Sequence, residues 1–236
     1  MSDKKPWEPE FEIVEPSAIR RAIGERTQVS FREIPQFSVT RQVPAAPMIA
    51  ARVRLKERGA DPVPSFNDYL IKLVADALPT HPTLNSWWED DVIKQLKSVN
   101  IGFVCETDEG ILLPTVFDAD QKGLAEIAGE THTLIEQARA GRLRASFQRG
   151  AGITLTNIGP TGVDWFHGII SPPQTAILAI GSLAPRPWLE GQALTVAPTM
   201  YLTMTLDHRV HDGRRGAEFL GELAAKLGDQ AVLEAL

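Results

Sequence analysis

A single α/β domain, a mixed β-sheet covered by helices, is the fold class this sequence predicts. Three observations lead to it. Segments of helical and strand periodicity alternate along the chain instead of collecting in separate halves. No internal repeat, low-complexity run or linker breaks that alternation. The 236 residues, 43% hydrophobic and 23% charged, are enough to bury one continuous core and have ordinary globular composition.

Residues 1–14 are polar and proline-containing and read as a tail or arm, which leaves residues 15–236 as the domain. Ser17 is placed to cap a short helix with Ile19, Ala22 and Ile23 on one face. Phe37-Ser38-Val39-Thr40 alternates as a strand. A helix from Pro47 carries Met48, Ile49 and Val53 towards a stop at Gly59. Ser65, with Asp68 three residues on, opens another through Leu70, Leu73, Val74 and Ala77, which Pro79 ends. Val99, Ile101, Phe103 and Cys105 share one parity and predict one strand, followed by a turn at residues 107–110 and a second strand over 111–117. Residues 123–140 are the clearest amphipathic helix, with Leu124, Ile127, Ala128, Thr131, Leu134, Ile135 and Ala138 recurring at three and four before Gly141. Three strands follow, over residues 152–157, 174–181 and 194–206, and a last helix over 212–228 presents Leu220, Leu223, Ala224 and Leu227 on one face.

Charge and cysteine usage narrow the function. Lys and Arg total 24 against 30 Asp and Glu, and a net charge of −6 argues against a nucleic-acid binder. Cys105 is the one cysteine, so no intrachain disulfide forms and a reducing, cytoplasmic setting is expected. The most apolar stretch, residues 169–183, is interrupted by Pro172, Pro173 and Gln174 and falls short of the roughly 20 apolar residues a bilayer needs, so no membrane partner is expected.

The residues that carry chemistry lie between the last strand and the last helix: Asp207-His208-Arg209-Val210-His211-Asp212-Gly213. A strand delivers His208 into a turn, and Asp212-Gly213 opens a helix, a place from which a side chain can be aimed into a cleft. Histidine is the side chain that serves most readily as a base near neutral pH. His-x-x-x-Asp-Gly arises by chance in about 1–2% of chains of this composition, so the motif is informative.

Thr205-Leu206-Asp207-His208-Arg209-Val210-His211-Asp212-Gly213 resembles the active-site motif of the dihydrolipoamide acyltransferases, the core components of 2-oxo acid dehydrogenase complexes. Six further segments resemble the same family in the same order. They are Ile34-Pro35-Gln36-Phe37-Ser38-Val39-Thr40, His81-Pro82-Thr83-Leu84-Asn85, Asn100-Ile101-Gly102-Phe103, Gly110-Ile111-Leu112-Leu113-Pro114, Ile153-Thr154-Leu155-Thr156-Asn157-Ile158-Gly159 and Pro173-Gln174-Thr175-Ala176-Ile177-Leu178. The resemblance implies a two-layer sandwich like that of chloramphenicol acetyltransferase, and homotrimers, in some members built into larger cages, with active-site channels between subunits. It also implies acyl transfer between dihydrolipoamide and coenzyme A.

In those roles His208 is the expected general base, taking a proton from the attacking thiol. Thr156 stands where the family has a serine whose hydroxyl stabilises the tetrahedral oxyanion; it keeps the hydroxyl and adds a methyl. Asp212 is expected to position the site through an ion pair, with Arg32 as the first choice of partner and Arg20 or Arg21 as alternatives. Asn157 and Gly213 are expected to support the site beside Thr156 and Asp212. His211 departs from the family, which has an apolar branched residue there; with no further ligand nearby, a metal at His208, His211 and Asp212 is not expected. Coenzyme A is expected as a substrate, with the lipoyl group supplied in trans. Family members carry lipoyl and subunit-binding domains ahead of this core. The motifs fill this sequence, so a lipoyl domain is expected from another chain or from a longer chain of which this is a piece.

Two other functions fit the same residues: a non-catalytic core that organises the other subunits of a 2-oxo acid dehydrogenase complex, and a coenzyme A-dependent transferase with another small acceptor. Elsewhere the residues read as structural. His81, His167 and Cys105 are expected in packing and His132 in solvent. Arg139, Arg142, Arg144 and Arg149 are expected to form a solvated basic face, with coenzyme A phosphates or an acidic carrier as the alternative use. The C-terminal Ala231-Val232-Leu233-Glu234-Ala235-Leu236 either docks on a neighbour or frays.

Overall fold

The computed structural model describes Trp7 and residues 9–236. Much of the predicted arm, residues 1–6 and 8, lies outside the described residues. The rest, up to Ser17, carries no helix or strand and exposes Phe11, Ile13 and Val14. None of the described helices is long and apolar enough to cross a membrane.

The elements run α1 (Ala18–Glu33), β1 (Gln36–Pro44), α2 (Ala46–Glu57), α3 (Phe66–Ala77), β2 (Ser86–Glu89), β3 (Val92–Gln95), β4 (Ile101–Phe103), β5 (Cys105–Thr107), β6 (Gly110–Leu112) and β7 (Thr115–Val116). They continue with α4 (Leu124–Arg139), β8 (Ile153–Asn157), β9 (Ala176–Ile180), β10 (Ala184–Glu190), β11 (Ala193–Asp207), α5 (Gly213–Gly228) and α6 (Gln230–Ala235). Local chemistry sets several ends. The N–H of Arg20 donates to Ser17 Oγ at 3.2 Å, and Ser65 and Asp68 close a reciprocal capping box on α3. Gly59 and Gly141, just past α2 and α4, take the positive φ values of 79° and 66° that favour glycine.

The main sheet has the order β1-β11-β9-β8-β4-β7, with β10 paired to the outer half of β11. β9, β8 and β4 are parallel to one another, whereas β1, β11 and β9 pair antiparallel, as do β10 with β11 and β7 with β4, so the sheet is mixed. One face is apolar. Val39 and Val43, Leu202, Met204 and Leu206, Leu178 and Ile180, and Ile153 and Leu155 all turn towards the layer of helices α2–α6. The opposite face is rich in hydroxyls. Ser38 Oγ meets Thr205 Oγ1 at 2.9 Å and Thr40 Oγ1 meets Thr203 Oγ1 at 3.0 Å, and Thr154 and Thr156 continue these rows across Ile177 and Ala179. A small cluster of Ile34, Ile170 and Ile177 anchors the chain that covers part of this second face.

α5 lies close on β1 and β11 because Gly216 has no side chain. A Cβ there would sit 2.5 Å from Leu206 Cδ1 and 2.8 Å from Val39 Cγ2. Gly216→Val is therefore expected to cost roughly 1–3 kcal/mol of stability. Gly213→Ala, whose Cβ would meet only the Phe37 ring at 3.8 Å, is expected to be tolerated. Urea unfolding midpoints of the two variants check this.

Four expectations change. The single strand over Val99–Cys105 divides: β4 belongs to the main sheet, and Cys105 begins a separate hairpin of β5 with β6. The strand over residues 111–117 divides at Pro114, which cannot donate to a ladder. The helix capped by Ser17 is not short; it runs for 16 residues. The C-terminus does not fray. α6 is capped by Asp229, buries Leu233, and pairs Glu234 with Arg54, while the Leu236 carbonyl accepts from the Leu124 N–H at 3.1 Å.

Candidate functional site

β11 ends in a turn tied on every side. The N–H of Asp207 donates to the Thr175 carbonyl, that of His208 to the Pro35 carbonyl, and those of Val210 and His211 to the Asp207 carbonyl, all within 2.9–3.0 Å. The Asp207 carboxylate is fully buried and accepts from the Arg209 N–H, Nε and Nη2. It also pushes the Arg209 guanidinium above its ordinary range through that hydrogen bond, and the same guanidinium lies 4.8 Å over the Trp88 ring. This leaves His208 exposed at the apex, its ring tilted against Phe37 with centroids 4.4 Å apart. Among the described residues its side chain has no hydrogen-bond partner, so both ring nitrogens are open to a ligand.

His211 is the reverse case. It is 2% exposed, its Nε2 lies 2.9 Å from Thr175 Oγ1, and its Nδ1 is buried with no partner among the described residues. Burial lowers its pKa to about 4; Asp207 opposes that shift, Arg215 adds to it and Asp212 opposes it. Unfolded, the group titrates at its ordinary value of 6.5. Between pH 6.5 and about 4 the unfolded chain therefore binds a proton that the native state does not, and native stability falls as pH falls. Acidification from pH 7 to 5 is expected to cost on the order of 2 kcal/mol from this group. Urea titrations at the two pH values check it, and His211→Leu should remove most of the difference.

Thr156 lies elsewhere. In Ile153-Thr154-Leu155-Thr156 the two apolar residues enter the core and the two threonines face the other side. Thr156 and Thr154 line a cavity of about 550 Å³ together with Ile23, Leu113, Phe166 and Ile170. Thr154 Oγ1 donates to Gln174 at 2.8 Å, but among the described residues the Thr156 hydroxyl has no partner and remains free to donate. Thr156 is level with Ala179 of β9, itself level with Thr203 of β11. His208 is two strands over and five residues further on, which at about 3.3 Å per residue and 4.8 Å per strand is on the order of 20 Å. Within one chain the two groups do not meet.

The remaining expectations fare unevenly. Asp212 caps α5, accepting from the Arg215 N–H at 3.0 Å. It forms no ion pair with an arginine among the described residues, so the expected bridge to Arg32 is replaced by the helix cap. Arg32 is exposed in the last turn of α1, Arg20 is also exposed, and Arg21 pairs with Glu15. Asn157 serves the scaffold: its Nδ2 donates to Asn67 Oδ1 at 2.7 Å and its Oδ1 accepts from the Gly159 N–H. Gly213 is the first residue of α5 and has room for a side chain; the glycine the packing requires is Gly216. His81 pairs with Glu222 at 2.9 Å, His132 is exposed beside Glu136, and Cys105 is buried, as expected. Phe37 and Thr175, the contacts of the two histidines, were not singled out from sequence. Only the pairing of β1 and β9 with β11 brings them to the turn.

Residues 8–234 match the family of 2-oxoacid dehydrogenases acyltransferase (catalytic domain). The acetyltransferase component of the pyruvate dehydrogenase complex of Rickettsia bellii is 32% identical over 214 residues, 89% of this chain and 51% of its own length. The chain thus spans about half the length of that relative. The dihydrolipoamide acetyltransferase of Azotobacter vinelandii superposes with a TM-score of 0.91 at 28% identity, covering 98% of this chain and all of that one. The cubic core of a pyruvate dehydrogenase complex superposes at 0.89 with 27% identity, covering 98% of this chain and 100% of that one. Chloramphenicol acetyltransferase, at 17% identity and a TM-score of 0.51 over 89% of this chain and 94% of its own, shares the fold. The Azotobacter structure was determined to examine the roles of a serine, a histidine and an asparagine in catalysis, spaced 52 and 4 residues apart. Thr156, His208 and Asp212 have the same two spacings.

Proposed function

The chain belongs to the 2-oxoacid dehydrogenase acyltransferase family, whose catalytic domain it matches over nearly its full length, and from that premise we propose that it moves an acyl group between dihydrolipoamide and coenzyme A. One observation carries the reading. A histidine on a braced turn and a hydroxyl at the wall of an apolar cavity, neither with a hydrogen-bond partner among the described residues, recur at the spacing of a relative's catalytic histidine and serine. Residues 15–236 are the catalytic unit in this reading. A cytoplasmic setting goes with it, supported by the single, buried and unpaired Cys105.

A thiol near its ordinary pKa is mostly protonated at pH 7. His208 accepts that proton as the sulfur attacks the thioester carbonyl, and the carbonyl oxygen becomes an oxyanion that accepts a hydrogen bond from Thr156 Oγ1. Collapse breaks the original carbon–sulfur bond, and the departing thiolate recovers the proton from His208. Both substrates present a flexible thiol arm, and a cavity with Ile, Leu and Phe walls and a few hydroxyls suits such an arm. Because His208 and Thr156 are on the order of 20 Å apart in one chain, the site is completed between copies, with His208 from one and Thr156 from the next. A homotrimer satisfies this, and the likeness to a cubic core supports further assembly with the other subunits of a 2-oxo acid dehydrogenase complex. The lipoyl group arrives on a domain outside residues 15–236.

A panel of acyl-CoA donors assayed with free dihydrolipoamide tests the proposal. Turnover with at least one donor is expected; none with any donor overturns it.

A further inference from the structure

His211 is the one buried histidine on the turn that carries His208, and its hydrogen bond runs to a pair of buried hydroxyls. Ser86 Oγ donates to the Thr83 carbonyl at 2.6 Å, and Thr175 Oγ1 donates to the Ser86 carbonyl at 3.2 Å while lying 3.0 Å from Ser86 Oγ. Thr175 Oγ1 and His211 Nε2 share a hydrogen bond of 2.9 Å, and among the described residues Nδ1 has no partner. The bond reaches from the turn to the start of β9 and on to β2, neither of which is adjacent to the turn in sequence.

We propose that His211 is a positioning residue for the transfer, holding the His208 turn against Thr175 and Ser86 so that the His208 ring rests on Phe37. The inference rests on the function proposed above. Without the His211–Thr175 bond, the turn keeps its backbone ties and the Asp207–Arg209 pair but loses the link from residue 211 to Thr175 and Ser86. A base displaced by a fraction of an ångström loses rate without losing substrate affinity. Burial of an unpaired Nδ1 costs the fold free energy, which is consistent with a side chain kept for where it holds the turn.

The test compares His211→Val, His211→Gln and Thr175→Val by steady-state kinetics per folded protein and by crystal structures. His211→Val is expected to lower kcat about tenfold with KM for both substrates unchanged, and to move the His208 ring off Phe37. His211→Gln, which presents an N–H at similar reach, should recover most of kcat. Thr175→Val should match His211→Val, and it keeps the proposal testable if His211→Val does not fold. Wild-type kcat in the Val variants, or a Gln variant as slow as the Val variant, overturns the positioning role. If the wild type itself shows no transfer, the proposed function falls and the ring position alone decides: a His208 ring still stacked on Phe37 in His211→Val and Thr175→Val overturns the inference.

Discussion

Replacing His208 by alanine is expected to slow acyl transfer by on the order of 10³-fold while leaving the fold intact. The side chain is exposed, its ring contact is with Phe37, and the turn is held by backbone hydrogen bonds that alanine retains. In the proposed mechanism, what disappears is the acceptor for the thiol proton. At neutral pH only the small thiolate fraction of the acceptor then reacts, so the residual rate should rise with pH towards the pKa of that thiol. Steady-state rates across pH, with unfolding midpoints alongside, check both halves of the expectation. A variant that keeps more than a tenth of wild-type kcat would remove His208 from the role of base.

Thr156→Val is expected to lower kcat by roughly 10²–10³-fold, the loss that follows removal of one oxyanion donor. Valine preserves the branched shape in a site that is 9% exposed and removes only the hydroxyl. Thr156→Ser restores the donor without the methyl and should retain activity within a few-fold of wild type. Because the oxyanion forms only on the way to the transition state, KM should change little in either variant. Equal losses in the serine and valine variants would instead assign Thr156 to packing in β8.

Several parts of this account were legible in the sequence because local chemistry decides them. The alternation Ile153-Thr154-Leu155-Thr156 separates a core face from a cavity face by strand parity alone, and Ser65 with Asp68 encodes its capping box within four residues. Elements whose signals are unusual are not legible in this way. The β2–β3 hairpin turns through Asp90 and Asp91, both at positive φ, without the glycine that marks such turns. β10 contains Pro185 and Pro187 and is tolerated as a strand because it pairs only with β11. The site divides in the same way. His208 and Asp212 follow from the motif, but Asp212 gives its carboxylate to the α5 cap four residues from His208 instead of to a distant arginine. Nothing in a linear reading ranks a local partner against a remote one. Phe37 and Thr175 become visible only once β1 and β9 are placed on either side of β11.

In the proposed assembly one chain supplies His208 and a second supplies Thr156 to the same site. Mixing tests it most directly: His208→Ala and Thr156→Val proteins, each nearly inactive, are dissociated together in equal amounts and reassembled. With sites between copies, a random mixture pairs an intact His208 with an intact Thr156 at about one interface in four, and about a quarter of wild-type activity should return. Activity no higher than that of the two variants assayed separately, after exchange of subunits has been verified, would contradict it.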